Sequence, residues 1–173
     1  MGELLNPRHS RPLSDDEALL FFEGPIQGAP DWQTRFGQRV LALRPDIVVA
    51  SPRVPVEFKR GDKEFNNQVD WEEDHILRAI KHGGVAVWFA AQDLSLPYRD
   101  GRAYAQTTRI EVGELLGWRR YDPTINVAIG FDPDYSSGSE RYIRRKAERV
   151  GIPVASDEDE FFEHIEQNIL NNL

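Results

Sequence analysis

The chain contains no cysteine. That excludes disulfides, thiolate metal sites and a cysteine nucleophile, and it leaves the redox compartment open. Four histidines, His9, His75, His82 and His164, are scattered along the sequence without the close pairing a zinc site needs, so no metal and no cofactor is expected. No apolar run approaches the length of a membrane span, and the opening MGELLNPRHSRPLSDDEA lacks the apolar core of a signal peptide. Met1-Gly2 lacks the Ser or Thr of the myristoylation pattern, since Asn6 stands at the sixth position. A cytoplasmic location without membrane contact is the resulting expectation. Positive charge is also in short supply. Twenty-one Lys and Arg against twenty-nine Asp and Glu leave a net charge of −8, which disfavours binding to nucleic-acid polymers or anionic lipid. A phosphate on a small ligand needs only a local Arg or a helix N-terminus, so small nucleotides are not excluded. Neither G-x-G-x-x-G, nor the P-loop pattern, nor a G-x-S-x-G elbow occurs.

What is present is an apolar fraction of 40% with nine Phe, four Trp and five Tyr, enough for a packed core in 173 residues and most economically one domain. A polar leader, 1–17, precedes a domain over 18–173. ALLFFEG (18–24) reads as a buried strand closed by Gly-Pro, and WQTRFGQRVLAL (32–43) as a helix stopped by Pro45. DIVVASP (46–52) is a second strand, followed by a polar loop over roughly 53–66. A helix over 69–84 turns Val69, Ile76, Leu77 and Ile80 inward. VAVWFA (85–90) is a strand, trailed by a loop of about sixteen residues, long enough to suggest function. A helix from about 107, a strand at 126–131, a helix at 140–151 and a short strand at 153–156 follow. A last helix is capped by Ser156, with Phe161, Phe162, Ile165, Ile169 and Leu170 on one face. Alternating helices and continuously apolar strands predict an α/β fold. The expected form is a flavodoxin-like, Rossmann-like parallel sheet of five strands in the order 2-1-3-4-5, helices on both faces. Its ligand crevice lies at the carboxyl ends of the strands, where the order switches.

The loops at that edge hold the candidate residues. Gly24, Pro25, Gln27 and Gly28 in GPIQG either shape a turn or let the backbone approach a ligand. DWEEDH (70–75) is acidic enough to suggest a cation, but acidic residues in a first turn ordinarily complement the helix dipole. Asp70 and Asp93 are possible acids. Trp32, Trp71, Trp88 and Tyr104 could stack on a ligand ring, but core packing is the ordinary fate of each. Thr107, Thr108 and Arg109 open a helix and suit a hydroxyl or phosphate. Two readings of Glu111 stay open. Thr108-Arg-Ile-Glu111 fits a capping box, which demands no function. Alternatively, Glu111 presents its carboxylate at the binding edge, and Gly113, a poor helix former, marks a close approach by a ligand or backbone.

FFEGPIQGAPDW, the VDW segment and YAQTTRIEVGELLG together resemble the nucleoside 2-deoxyribosyltransferase-like family, relatives of nucleotide N-glycosidases, in order and spacing over most of residues 18–150. The resemblance implies that Glu111, in the E-x-G element Glu111-Val112-Gly113, is the nucleophile of a retaining cleavage or transfer at the N-glycosidic bond of a nucleoside or nucleotide. It implies that Asp70 helps place sugar or base, that the partners are a small nucleoside or nucleotide and a free base, and that the chain forms at least a homodimer. Ala105 stands where the family carries an Asp six residues before the nucleophile. That departure keeps open a second reading, a nucleotide-binding or sensing module without turnover.

Overall fold

The computed structural model describes residues 2–54, 62–98, 101–136 and 138–173. Part of the loop expected at 53–66 and Asp100 therefore lie outside the described residues. One parallel sheet of six strands forms the centre, in the order β1-β3-β2-β4-β5-β6. The strands are β1 (Glu3–Leu5), β2 (Leu19–Glu23), β3 (Val48–Ala50), β4 (Gly83–Phe89), β5 (Val127–Phe131) and β6 (Val154–Ala155). This corrects the expected five strands in the order 2-1-3-4-5. The extra strand comes from the stretch read as a polar leader: Glu3-Leu-Leu5 pairs with Val48–Ala50 and adds a new edge outside β3. Three residues amid polar neighbours carry too little pattern to announce a strand.

The α/β alternation itself holds because β2, β4 and β5 are continuous apolar runs buried on both faces, as a helix-covered parallel sheet requires. Helices α1 (Trp32–Leu43) and α5 (Glu158–Asn168) cover one face, α2 (Asp62–His82), α3 (Gln106–Tyr121) and α4 (Glu140–Glu148) the other. A short 3-10 turn, Leu170–Asn172, follows α5. On the α1/α5 face Phe36 sits at the hub of an aromatic cluster. Its ring centroid lies 5.4 Å from Trp32, 5.7 Å from Trp88 and 4.9 Å from Phe162. On the opposite face Phe21, Val85, Val87 and Phe89 receive Ala79 of α2 with Val112 and Leu115 of α3.

Three helix details depart from the sequence reading. Helix α2 begins at Asp62, so Asp70–His75 falls mid-helix rather than in a first turn and does not serve the helix dipole there. Val69 and Leu77 are nearly half exposed, while Ala79, Ile76 and Ile80 face the sheet. Helix α5 is capped by Asp157, whose carboxylate accepts from the Glu160 amide at 2.9 Å, while Glu160 accepts from the Ser156 amide at 2.6 Å. This reciprocal cap lies one residue after the predicted Ser156.

Candidate functional site

Strand β2 crosses over through α1 to one side and its other neighbour is β4, so the strand order switches between β2 and β4. At the carboxyl end of this switch, between α2 and α3, lies a cavity of about 460 Å³, within the range of small-molecule sites. Three walls form it. The first is the end of β2 and its exit, Phe21, Glu23, Gly24, Pro25, Ile26 and Gln27. The second comes from α2, with Phe65, Gln68, Val69, Glu72, Glu73 and Ile76. The third is the start of α3 with the residues before it, Tyr98, Arg102, Ala105 through Thr108, Glu111, Glu114 and Trp118.

The β2 exit is held rigidly from outside. Arg53 donates from Nε to the Gln33 side-chain oxygen at 2.7 Å and from Nη2 to the carbonyls of Ile26, Ala29 and Pro30 at 2.9–3.1 Å. Trp32 Nε1 donates to the Pro25 carbonyl at 3.0 Å. Gly24 and Gly28 are required by packing inside the chain rather than by a ligand. At Gly24 φ is +153°, and a Cβ there would lie 2.3 Å from the Trp88 carbonyl oxygen. At Gly28 φ is +67°, and a Cβ would lie 2.8 Å from the Tyr98 ring.

Helix α3 opens at Gln106 after Ala105, which has left-handed backbone angles (φ 53°, ψ 33°) and gives no side-chain cap. Thr108 is therefore inside the helix and buried, not at its cap, and the capping-box reading of Glu111 is corrected. Glu111 lies more than a turn into α3 and lines the cavity. Burial, then the charges of Glu72 and Glu114, push its carboxyl up to about 7. Gly113 has no atom near enough to touch a Cβ, so the close approach expected there is absent from the chain's own packing.

The structure brings Gly24, Pro25, Gln27, Thr107, Thr108 and Glu111 to one cavity, and leaves other named residues outside its lining. Asp70 is exposed on α2 and does not reach it. Trp71 donates to Ser10 Oγ at 2.9 Å and stacks on His75 at 3.9 Å. Trp88, like Trp32, is buried in the aromatic cluster on the far face of the sheet, because Val87 and Phe89 take the near one. Asp93 accepts from the Ser95 amide at 2.9 Å and hydroxyl at 2.6 Å, contacts that hold its carboxyl below the usual range. Tyr104 donates to the Ala90 and Ala91 carbonyls at 2.9 and 3.2 Å, and Arg109 donates to the Tyr104 carbonyl at 2.5 Å. Trp32, Trp71, Trp88, Asp93, Tyr104 and Arg109 thus serve the loops and core of the chain rather than the cavity lining.

Two cavity residues escape a reading by sequence alone. Glu72, one helical turn after Gln68 and accepting from its amide at 2.5 Å, lines the cavity where Asp70 does not. Glu23 ends β2 and is only 3% exposed, and among the described residues its Oε1 has no hydrogen-bond partner. A lone carboxylate closing a buried strand before Gly-Pro is the signal that marks it. Burial first, then Glu111, Glu72 and Glu114, raise its carboxyl well above the usual range. Among the described residues no group of His, Asp or Glu is arranged to hold a metal ion, and no helix is long and apolar enough to cross a membrane. The arrangement sets two carboxyls of raised pKa, Glu23 and Glu111, on one cavity. No family model matches the chain, and no curated protein matches it.

Proposed function

We propose that this protein cleaves or transfers at the N-glycosidic bond of a nucleoside or nucleotide, as the resemblance to the nucleoside 2-deoxyribosyltransferase-like family implies, with Glu111 as the nucleophile. The observation that carries the reading is a half-buried, functionally unexplained carboxylate on α3 lining a cavity at the sheet's switch point. As the C1′–N bond breaks, one Glu111 oxygen captures or stabilises the anomeric carbon. A second acceptor, water or another base, then attacks from the opposite side, and the two inversions give net retention. Gln106, Thr107 and Thr108 bring the first turn of α3 to the cavity, where its unpaired amides suit a sugar hydroxyl or phosphate. Arg102 supplies the one basic side chain among the described lining residues. The homodimer implied by the resemblance finds support in Phe65, Val69 and Trp118, apolar side chains 37–49% exposed at the cavity rim.

The test is direct. Incubate the protein with mixed deoxynucleosides, ribonucleosides, their 5′-monophosphates and free bases, and follow released or exchanged base by chromatography. Base release or exchange by the parent, lost in Glu111→Gln, is the expected result. Ligand binding without turnover across the whole panel would favour the binding-module reading instead, to which the Ala105 departure points.

A further inference from the structure

We propose that Glu23 is a second catalytic residue of this site, the acid that delivers a proton to the departing base. The proposal rests on the Glu111 reading and adds to it the group that makes a poor leaving group depart. Side chains two apart on a strand share a face, so Glu23 follows Phe21 onto the side of the sheet covered by α2 and α3. Gly24 then turns the chain away, and Glu23 is left at the floor of the cavity. Its side chain is buried, and among the described residues its Oε1 has no hydrogen-bond partner.

A buried polar atom without a partner is costly, and natural chains seldom retain one without a use. Among the described residues the charged groups that act on Glu23 are carboxylates: Glu72 from α2, Glu111 and Glu114 from α3. Glu73 of α2 and Arg102 of the preceding loop also line the cavity. Burial and this acidic company push the Glu23 carboxyl up, toward the protonated form that can donate a hydrogen bond to a ligand in the cavity. The other acids suit the role less. Glu72 already accepts a hydrogen bond from the Gln68 amide, and Glu114 is exposed. Burial and the neighbouring carboxylates raise both Glu23 and Glu111, and Glu23 is the more deeply buried of the two.

The proton balance closes on this pair. In the first step the C1′–N electron pair passes to the base, a base nitrogen takes the Glu23 proton, and a Glu111 oxygen bonds to C1′. In the second, water attacks C1′, the Glu111–C1′ bond breaks, and the proton of the water returns to Glu23. The net reaction is nucleoside plus water giving sugar plus base, with both carboxyls restored.

Leaving-group dependence provides the test. Measure kcat/KM for parent, Glu23→Gln and Glu111→Gln on a purine nucleoside and on the 4-nitrophenyl glycoside of the same sugar, whose phenolate departs without a proton. Removing a general acid costs about 10²- to 10⁴-fold where protonation is needed. Glu23→Gln is expected to lose that much on the purine nucleoside and less than tenfold on the nitrophenyl glycoside. Glu111→Gln is expected to lose both. A purine rate equal to the parent's, or equal losses on the two substrates, overturns the assignment of Glu23. Cleavage of the nitrophenyl glycoside that depends on Glu111 would still leave the glycosidic reading intact in that event, whereas a parent that cleaves neither substrate ends both. If Glu23→Gln does not fold, the parent's pH profile decides. It should fall on the alkaline side for the purine nucleoside and stay level there for the nitrophenyl glycoside, and a fall for both refutes the proposal.

Discussion

Replacing Glu111 by Gln should make the protein more stable at alkaline pH, and by an amount set by the site. The Glu111 carboxyl ordinarily titrates at 4.5, and burial against Glu72 and Glu114 raises it to about 7 in the folded chain. Each pH unit between the folded and unfolded values is worth about 1.4 kcal/mol. Below pH 4.5 the group is protonated in both states and costs nothing. As pH rises from there through about 7, the unfolded chain ionises first, and folding is opposed progressively until the full penalty of about 3 kcal/mol is reached. Gln keeps the shape and never ionises, so Glu111→Gln should match the parent near pH 4 and exceed it by about 3 kcal/mol at pH 8. For a chain of this length that is about 6–12 °C in Tm. Urea unfolding of both proteins at four pH values from 4 to 8 reads the difference directly, and an unchanged m-value confirms that stability alone has moved. A difference that stays flat with pH, or a variant less stable than the parent at pH 8, would refute the placement of Glu111 in a desolvated acidic site. A gain would mean that the parent retains a carboxylate which stability alone would discard, as functional sites often do.

Two other substitutions probe the frame. Arg53→Lys cannot reproduce the fan of donors to Gln33, Ile26, Ala29 and Pro30, so at least one buried acceptor loses its partner. It should cost about 1–3 kcal/mol in urea unfolding and raise KM more than it lowers kcat, because the β2 exit forms one cavity wall. Gly113→Ala, in a helix interior with nothing within 4 Å of the new Cβ, should gain about 0.5–1 kcal/mol, visible as a rise of a few degrees in Tm. A loss at Gly113 would show that a ligand or a second copy of the chain closes on that side of α3.

The sheet was legible where residue pattern is strong. FFE, VAVWF and VAIGF are runs that only a doubly covered parallel strand can bury, and they placed β2, β4 and β5. Strand β1 escaped because three residues hold no period, and the first two turns of α2 escaped because Phe65 is their one large apolar side chain and lies half exposed. Glu111 lines the cavity together with Glu23, Gln68 and Glu72, which the sequence reading did not name, whereas Asp70 and Trp88 are not among its lining residues. Asp70 was named because the resemblance places an Asp at the opening of this helix, whereas α2 begins at Asp62 and sets Gln68 and Glu72, four apart, on the cavity side. Trp88 stood out by size, yet strand alternation sends it to the face opposite Glu23. Glu23 itself was hidden inside an apolar run, where a single carboxylate reads as the end of a strand.

The central claim, that Glu111 attacks an anomeric carbon, is tested most directly by trapping. Incubation with 2-deoxy-2-fluoro nucleosides, whose oxocarbenium-like transition state is destabilised, should leave the fluorosugar on the protein. Digestion and mass spectrometry should place the added mass on the peptide carrying Glu111, and Glu111→Gln should carry none. Base release by the Glu111→Gln variant at the parent rate, or a sugar adduct on another residue, would contradict the account.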